Sequence, residues 1–161
     1  MNLPQFHFLL TPPGQDLLAA AAETPITSRN HLQIITKLRQ QVAPPLAQAV
    51  LQTAVLRQKA AVKFSRAEAM YFTRTALEQA SSEIIAAYRA KRFAGAGMRT
   101  IVDLGCGIGG DALALTAVAD VIGVDLDSLR LHMARENVKA YGGTAVSTPC
   151  KPTSPPCPLF P

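Results

Sequence analysis

Ile101-Val102-Asp103-Leu104-Gly105-Cys106-Gly107-Ile108-Gly109-Gly110-Asp111 is the stretch on which the fold turns. It reads as a short strand, a glycine-rich turn and the start of a helix. Apolar Ile101, Val102 and Leu104 suit a parallel strand covered on both faces. The glycines permit positive φ and let a ligand approach the backbone closely. A helix beginning near Gly110 directs free N–H groups and the positive end of its dipole at whatever sits on the loop. Such geometry predicts a nucleotide-type cofactor site.

Two cofactor classes use this arrangement. Gly105, Gly107 and Gly110 satisfy the G-x-G-x-x-G spacing of NAD and FAD proteins, a weak signal alone. Asp103 separates the two. Beside a dinucleotide pyrophosphate a carboxylate would repel the phosphates, whereas S-adenosyl-L-methionine carries an ammonium and a sulfonium that an acid attracts. A second acid, Asp125, ends the next apolar run, Val121-Ile122-Gly123-Val124, where it can accept hydrogen bonds from ribose hydroxyls. Asp103, Gly105, Gly107, Gly109 and Asp125 are therefore the candidate cofactor residues, with Gly110 assigned to helix packing.

Around this motif the pattern is strand, helix, strand, helix, which specifies a right-handed parallel unit. Asp111 to Ala117 is expected to be helical, with Asp111 complementing the dipole. Asp127-Ser128 caps a helix to about Tyr141, and Gly142-Gly143 ends it. Upstream the chain reads as helices over about Gln15 to Glu23, Arg29 to Gln41, Pro44 to Phe64 and Ser82 to Phe93, after an irregular proline-punctuated start. The fold class is α/β: a helical region over 1–94, a partial Rossmann-like sheet over 95–143, and an irregular proline-rich tail over 144–161.

These quoted segments resemble class I S-adenosylmethionine-dependent methyltransferases. The likeness rests on Val102 to Gly110, Val121 to Asp127, Ala134-Arg135-Glu136-Asn137 and Tyr141-Gly142, and covers about residues 60 to 142. Within that superfamily the chain is most similar to the trimethylguanosine-synthase group, the RNA cap guanine-N2 methyltransferases, and to bacterial relatives with a THUMP-like domain. These place a stretch similar to Tyr71-Phe72-Thr73 through Phe93 ahead of the glycine loop. The resemblance implies an S-adenosyl-L-methionine pocket and an RNA or nucleotide acceptor. It also implies several further strands and a substrate-side motif that residues 144–161 do not supply. A truncated or frameshifted chain accounts for that break, and no catalytic residue is named.

Composition bounds the alternatives. With 48% hydrophobic residues in 161 the chain can bury a core, which excludes wholesale disorder. No apolar run approaches the roughly 18 residues that span a membrane, and no signal-type core opens the chain. The three cysteines Cys106, Cys150 and Cys157 lack metal-type spacing and suit a reducing cytoplasm. The net charge of +5 is concentrated between Arg57 and Arg99, where nine basic residues stand against three acidic ones. An RNA-facing surface or a solvated helix face both look like this. His7, His31 and His132 have no metal or acid–base spacing, and Cys106 reads as a loop filler. Tyr71 and Phe72 read as a plug between helices and sheet. A non-catalytic remnant or helical interaction module is the alternative function, and an NAD or FAD oxidoreductase fragment a further one.

Overall fold

The computed structural model describes residues 1–149. Four helices open the chain: α1 (Leu3–Leu9), α2 (Pro12–Ala22), α3 (His31–Arg39) and α4 (Pro44–Ala60). Helix α1 lies where an irregular start was expected, because Asn2 and Gln5 form a reciprocal capping box. The Asn2 N–H donates to Gln5 Oε1 at 2.9 Å and the Gln5 N–H to Asn2 Oδ1 at 3.0 Å. Two of the orphan donors at the helix start are thus satisfied, and Phe6 and Leu9 are fully buried. Helix α2 follows after one turn, with Thr11 as cap. A Cβ on Gly14 would stand 2.1 Å from the Phe8 carbonyl oxygen, so this tight corner admits only glycine.

After α4 the chain makes a 3-10 turn at Ala67–Ala69 and runs extended through Met70, Tyr71 and Phe72. Helices α5 (Arg74–Gln79) and α6 (Glu83–Gly95) lead into the sheet. Strand β1 (Thr100–Leu104), helix α7 (Ala112–Leu115), strand β2 (Asp120–Asp125) and helix α8 (Ser128–Ala140) follow as expected. The structure then adds β3 (Ala145–Pro149), parallel to β2, giving a three-stranded sheet in the order β1-β2-β3. This corrects the irregular tail expected from residue 144. The turn at Gly142, φ +78°, brings the chain back alongside β2, whose free edge pairs Val121 to Asp125 with Ala145 to Pro149. Backbone pairing at an open edge outweighs the weak strand pattern of so short a run. The remaining residues of the tail, 150–161, lie outside the described residues.

Two crossovers running the same way carry α7 and α8 to one face of the sheet. Ile101 and Val121 on that face are buried, whereas Val102 is 40% and Leu104 73% exposed. The double-sided burial expected for β1 is therefore not met among the described residues.

A single apolar cluster runs from Phe6, Leu9 and Val50 through Phe64 and Phe72 to Ile101, Val121 and Val138. Its polar fastening is Asn137. This fully buried carboxamide accepts from the Tyr71 N–H at 2.7 Å and donates to the Tyr71 carbonyl at 3.0 Å and the Ile108 carbonyl at 2.9 Å. Removing it leaves one buried donor and two buried acceptors unpaired. Asn137→Ala is expected to cost about 3 kcal/mol of stability, read as a lower urea midpoint.

Candidate functional site

The glycine loop is shaped by backbone hydrogen bonds and three left-handed residues. Gly105 and Cys106 both donate to the Val124 carbonyl, at 2.7 and 3.0 Å, and Gly109 donates to the Cys106 carbonyl at 2.8 Å. Gly105, Gly107 and Gly109 take φ of +76°, +56° and +80°. Their surroundings differ. A Cβ at Gly105 or Gly107 would meet nothing within 4 Å, so both face open space. One at Gly109 would meet Ala134 of α8 at 3.2 Å, so that glycine serves close helix packing. A Cβ at Gly110 would stand 3.4 Å from the Ser81 carbonyl oxygen, an ordinary contact with the non-helical segment before α6.

The two predicted acids flank the loop. Asp125 is 9% exposed and accepts the Gly107 N–H through Oδ2 and the Asp127 N–H through Oδ1, both at 2.9 Å. It braces the loop while its remaining lone pairs stay available. Asp127 caps α8 by accepting the Leu129 N–H at 2.9 Å. Asp103 is half-buried and makes no side-chain hydrogen bond to the described residues. Burial raises its pKa above the ordinary carboxylate value; the neighbouring Asp111 and Asp125 push the same way, and Arg89 pulls against them.

Asp111 does more than complement a dipole. Its Oδ2 pairs with the Arg89 guanidinium, whereas Oδ1 is buried with no hydrogen-bond partner among the described residues. Asp103, Asp111, Ser81 and the glycine loop enclose a small cavity of about 120 Å³. Arg130 joins it to a wider cleft of about 670 Å³ lined by Leu104, Gly105, Asp125 and Leu126. One end thus offers unpaired carboxylate oxygens to a cation, and the other an apolar shelf beside a carboxylate, suited to a base and its hydroxylated sugar.

Neither Asp111 nor Arg89 was assigned to the site from sequence. Asp111 had a signal, being the first side chain after the glycines. Arg89 had none, because it reaches the loop from α6 through tertiary packing.

The thiol of Cys106 packs against Gly123, and burial pushes its pKa up to about 12, which rules it out as a nucleophile near neutrality. No histidine lines either cavity. Met70, Tyr71 and Phe72 are buried in the core, as their plug reading requires. Among the described residues no group of three potential ligands stands close enough to hold a metal ion, and no helix is long and apolar enough to cross a membrane.

Residues 98–151 match the family of RNA cap guanine-N2 methyltransferases. That match takes in about a third of the chain. Residues 2–60 match a separate family described as a domain of unknown function, DUF8688. Over 100 residues the chain is 37% identical to an uncharacterized S-adenosylmethionine-dependent methyltransferase known from two strains of Mycobacterium tuberculosis, CDC 1551 and H37Rv. That alignment takes in 58% of this chain and 27% of each relative, so the chain spans about a quarter of their length. In fold it is similar to a crystal structure described as a methyltransferase from Porphyromonas gingivalis W83. The TM-score is 0.56 at 20% identity, over 78% of this chain and 37% of that one.

The raised pKa of Asp103 has a consequence for stability. An acid whose folded pKa lies above its unfolded value contributes stability in full below the unfolded value and loses it as pH rises through the folded one. At pH 7 the ionised Asp103 is therefore a cost. Asp103→Asn is expected to raise the thermal midpoint at pH 7 and to leave it little changed near pH 3.

Proposed function

We propose that the chain binds S-adenosyl-L-methionine at the carboxyl ends of β1 and β2 and supplies the cofactor half of a methyltransferase acting on RNA or a nucleotide. The observation that carries this reading is the pairing of two open-faced glycines, Gly105 and Gly107, with a carboxylate at each end of the cleft. The unpartnered oxygens of Asp103 and Asp111 suit the ammonium of the cofactor better than a pyrophosphate. Asp125 takes the ribose hydroxyls, and Leu104 and Leu126 give the adenine an apolar shelf.

When bound, S-adenosyl-L-methionine supplies a methyl group already activated on sulfonium. What these residues contribute is position. Asp103 and Asp111 hold the ammonium, Arg89 keeps Asp111 oriented, and the backbone of the glycine loop sets the height of the ligand over β1. Helices over 1–94 form the back wall, with residues 95–143 and β3 carrying the site. RNA as acceptor draws on the description of the matched family and on the basic residues between Arg57 and Arg99. We place the chain in the cytoplasm on the free, buried thiol of Cys106 and the lack of metal-type cysteine spacing.

Titration calorimetry with S-adenosylhomocysteine and with NAD tests the cofactor. Saturable binding of S-adenosylhomocysteine alone is expected, weakened roughly tenfold or more by Asp125→Ala, the loss of charge-assisted hydrogen bonds. Binding of NAD alone would overturn the cofactor assignment, and no binding of either would favour a non-catalytic helical module. A second expectation concerns pH. Affinity for S-adenosylhomocysteine falls on acidification at a pH above the ordinary aspartate range, because Asp103 takes up its proton early.

A further inference from the structure

The helical part of the molecule holds a cavity of its own, about 490 Å³, between α2, α4 and the turn at Ala67–Ala69. That volume lies within the range of small-molecule sites, roughly 300–1,000 Å³. Leu18, Ala22, Ala54, Ala61 and Phe64 give it an apolar wall. Polar side chains also reach it, and most are already engaged. Gln58 bridges the backbone of Ile26, accepting its N–H at 2.9 Å and donating to its carbonyl at 3.3 Å. Gln15 donates to the Leu9 carbonyl and to the Tyr71 hydroxyl. Ser65 donates its hydroxyl to Glu83.

Arg57 is engaged only in part. Its Nε donates to the Met70 carbonyl at 2.9 Å, and its Cζ lies 4.9 Å from the centre of the Tyr71 ring. The guanidinium is thereby fixed at the cavity wall in one orientation. Yet among the described residues it forms no ion pair with any carboxylate; Glu68, also on the cavity wall, is not within pairing distance. Burial depresses its pKa, with Tyr71 and Glu68 pulling the other way. A half-buried, immobilised and unpaired guanidinium facing an apolar cavity is complementary to an anion with an apolar body.

We propose that this cavity binds a monocarboxylate with an apolar body, its carboxylate held in the fork of the Arg57 guanidinium and its body against Leu18, Ala54 and Phe64. A carboxylate matches the planar fork with two parallel hydrogen bonds, and the apolar wall with the Glu68 carboxylate beside it disfavours a second negative charge on the ligand. Met70, which anchors Arg57, precedes the Tyr71 backbone that Asn137 ties to Ile108. The cavity and the glycine loop are thus joined by a short chain of hydrogen bonds, although the proposal does not depend on the cofactor reading.

Calorimetry of the full chain with sodium octanoate, and with octanamide as its neutral counterpart, tests it. Octanoate is expected to bind saturably and at least about tenfold more tightly than octanamide. Ala61→Phe, which fills the rim from an exposed position, is expected to abolish octanoate binding; Arg57→Gln removes the preference over octanamide and Arg57→Lys restores part of it. Equal affinity for the two probes in the wild-type chain, no binding of octanoate, or binding that survives Ala61→Phe would each overturn the proposal. The two wild-type titrations decide the matter even where an Arg57 variant fails to fold.

Discussion

One carboxamide holds the two halves of this molecule in register. Asn137 projects from α8 into a fully apolar surrounding, where it satisfies both backbone groups of Tyr71 and the carbonyl of Ile108. Buried backbone groups without partners are expensive, so the extended segment at 70–72 can lie in the core only with this side chain present. Ile108 belongs to the glycine loop and Tyr71 to the helical region, so Asn137 ties the two together alongside the Arg89–Asp111 pair. Its hydrogen bonds join the aromatic plug directly to the loop.

The loop itself shows how glycines within one motif divide their labour. All three left-handed positions demand glycine on conformational grounds, but only Gly105 and Gly107 face open space. Gly109 instead lets α8 approach, and α8 in turn delivers Asn137. Ligand access and helix packing are thus built from neighbouring residues of the same turn. Around this loop the charges are held at a cost. Asp103, Asp111 and Asp125 repel one another in a partly desolvated site with Arg89 as the nearby counter-charge to Asp111. A cation placed among them would lower that repulsion.

Most of the architecture around the site was legible in the chain. Hydrophobic period, glycine spacing and the acids at the ends of two apolar runs located β1, the loop, β2 and α8 because each is a local signal. Helix α1 was legible in principle too: Asn2 and Gln5 form a capping box, but the prolines nearby obscured it. Strand β3 was not. Its few residues carry no pattern of their own, and it is a strand because β2 offers a free edge at the right place.

The residue types at the cleft beside the glycine loop are local properties: where the backbone must turn left-handed and where a carboxylate ends a strand follow from the order of amino acids. Which of those groups face each other is a property of the folded chain. Arg89 reaches Asp111, Tyr71 reaches Asn137 and Arg57 pairs with no carboxylate among the described residues because segments distant in sequence pack together. Dihedral preference and hydrophobic period act over a few residues and can be read along the chain, whereas desolvation and charge pairing depend on neighbours that only packing supplies.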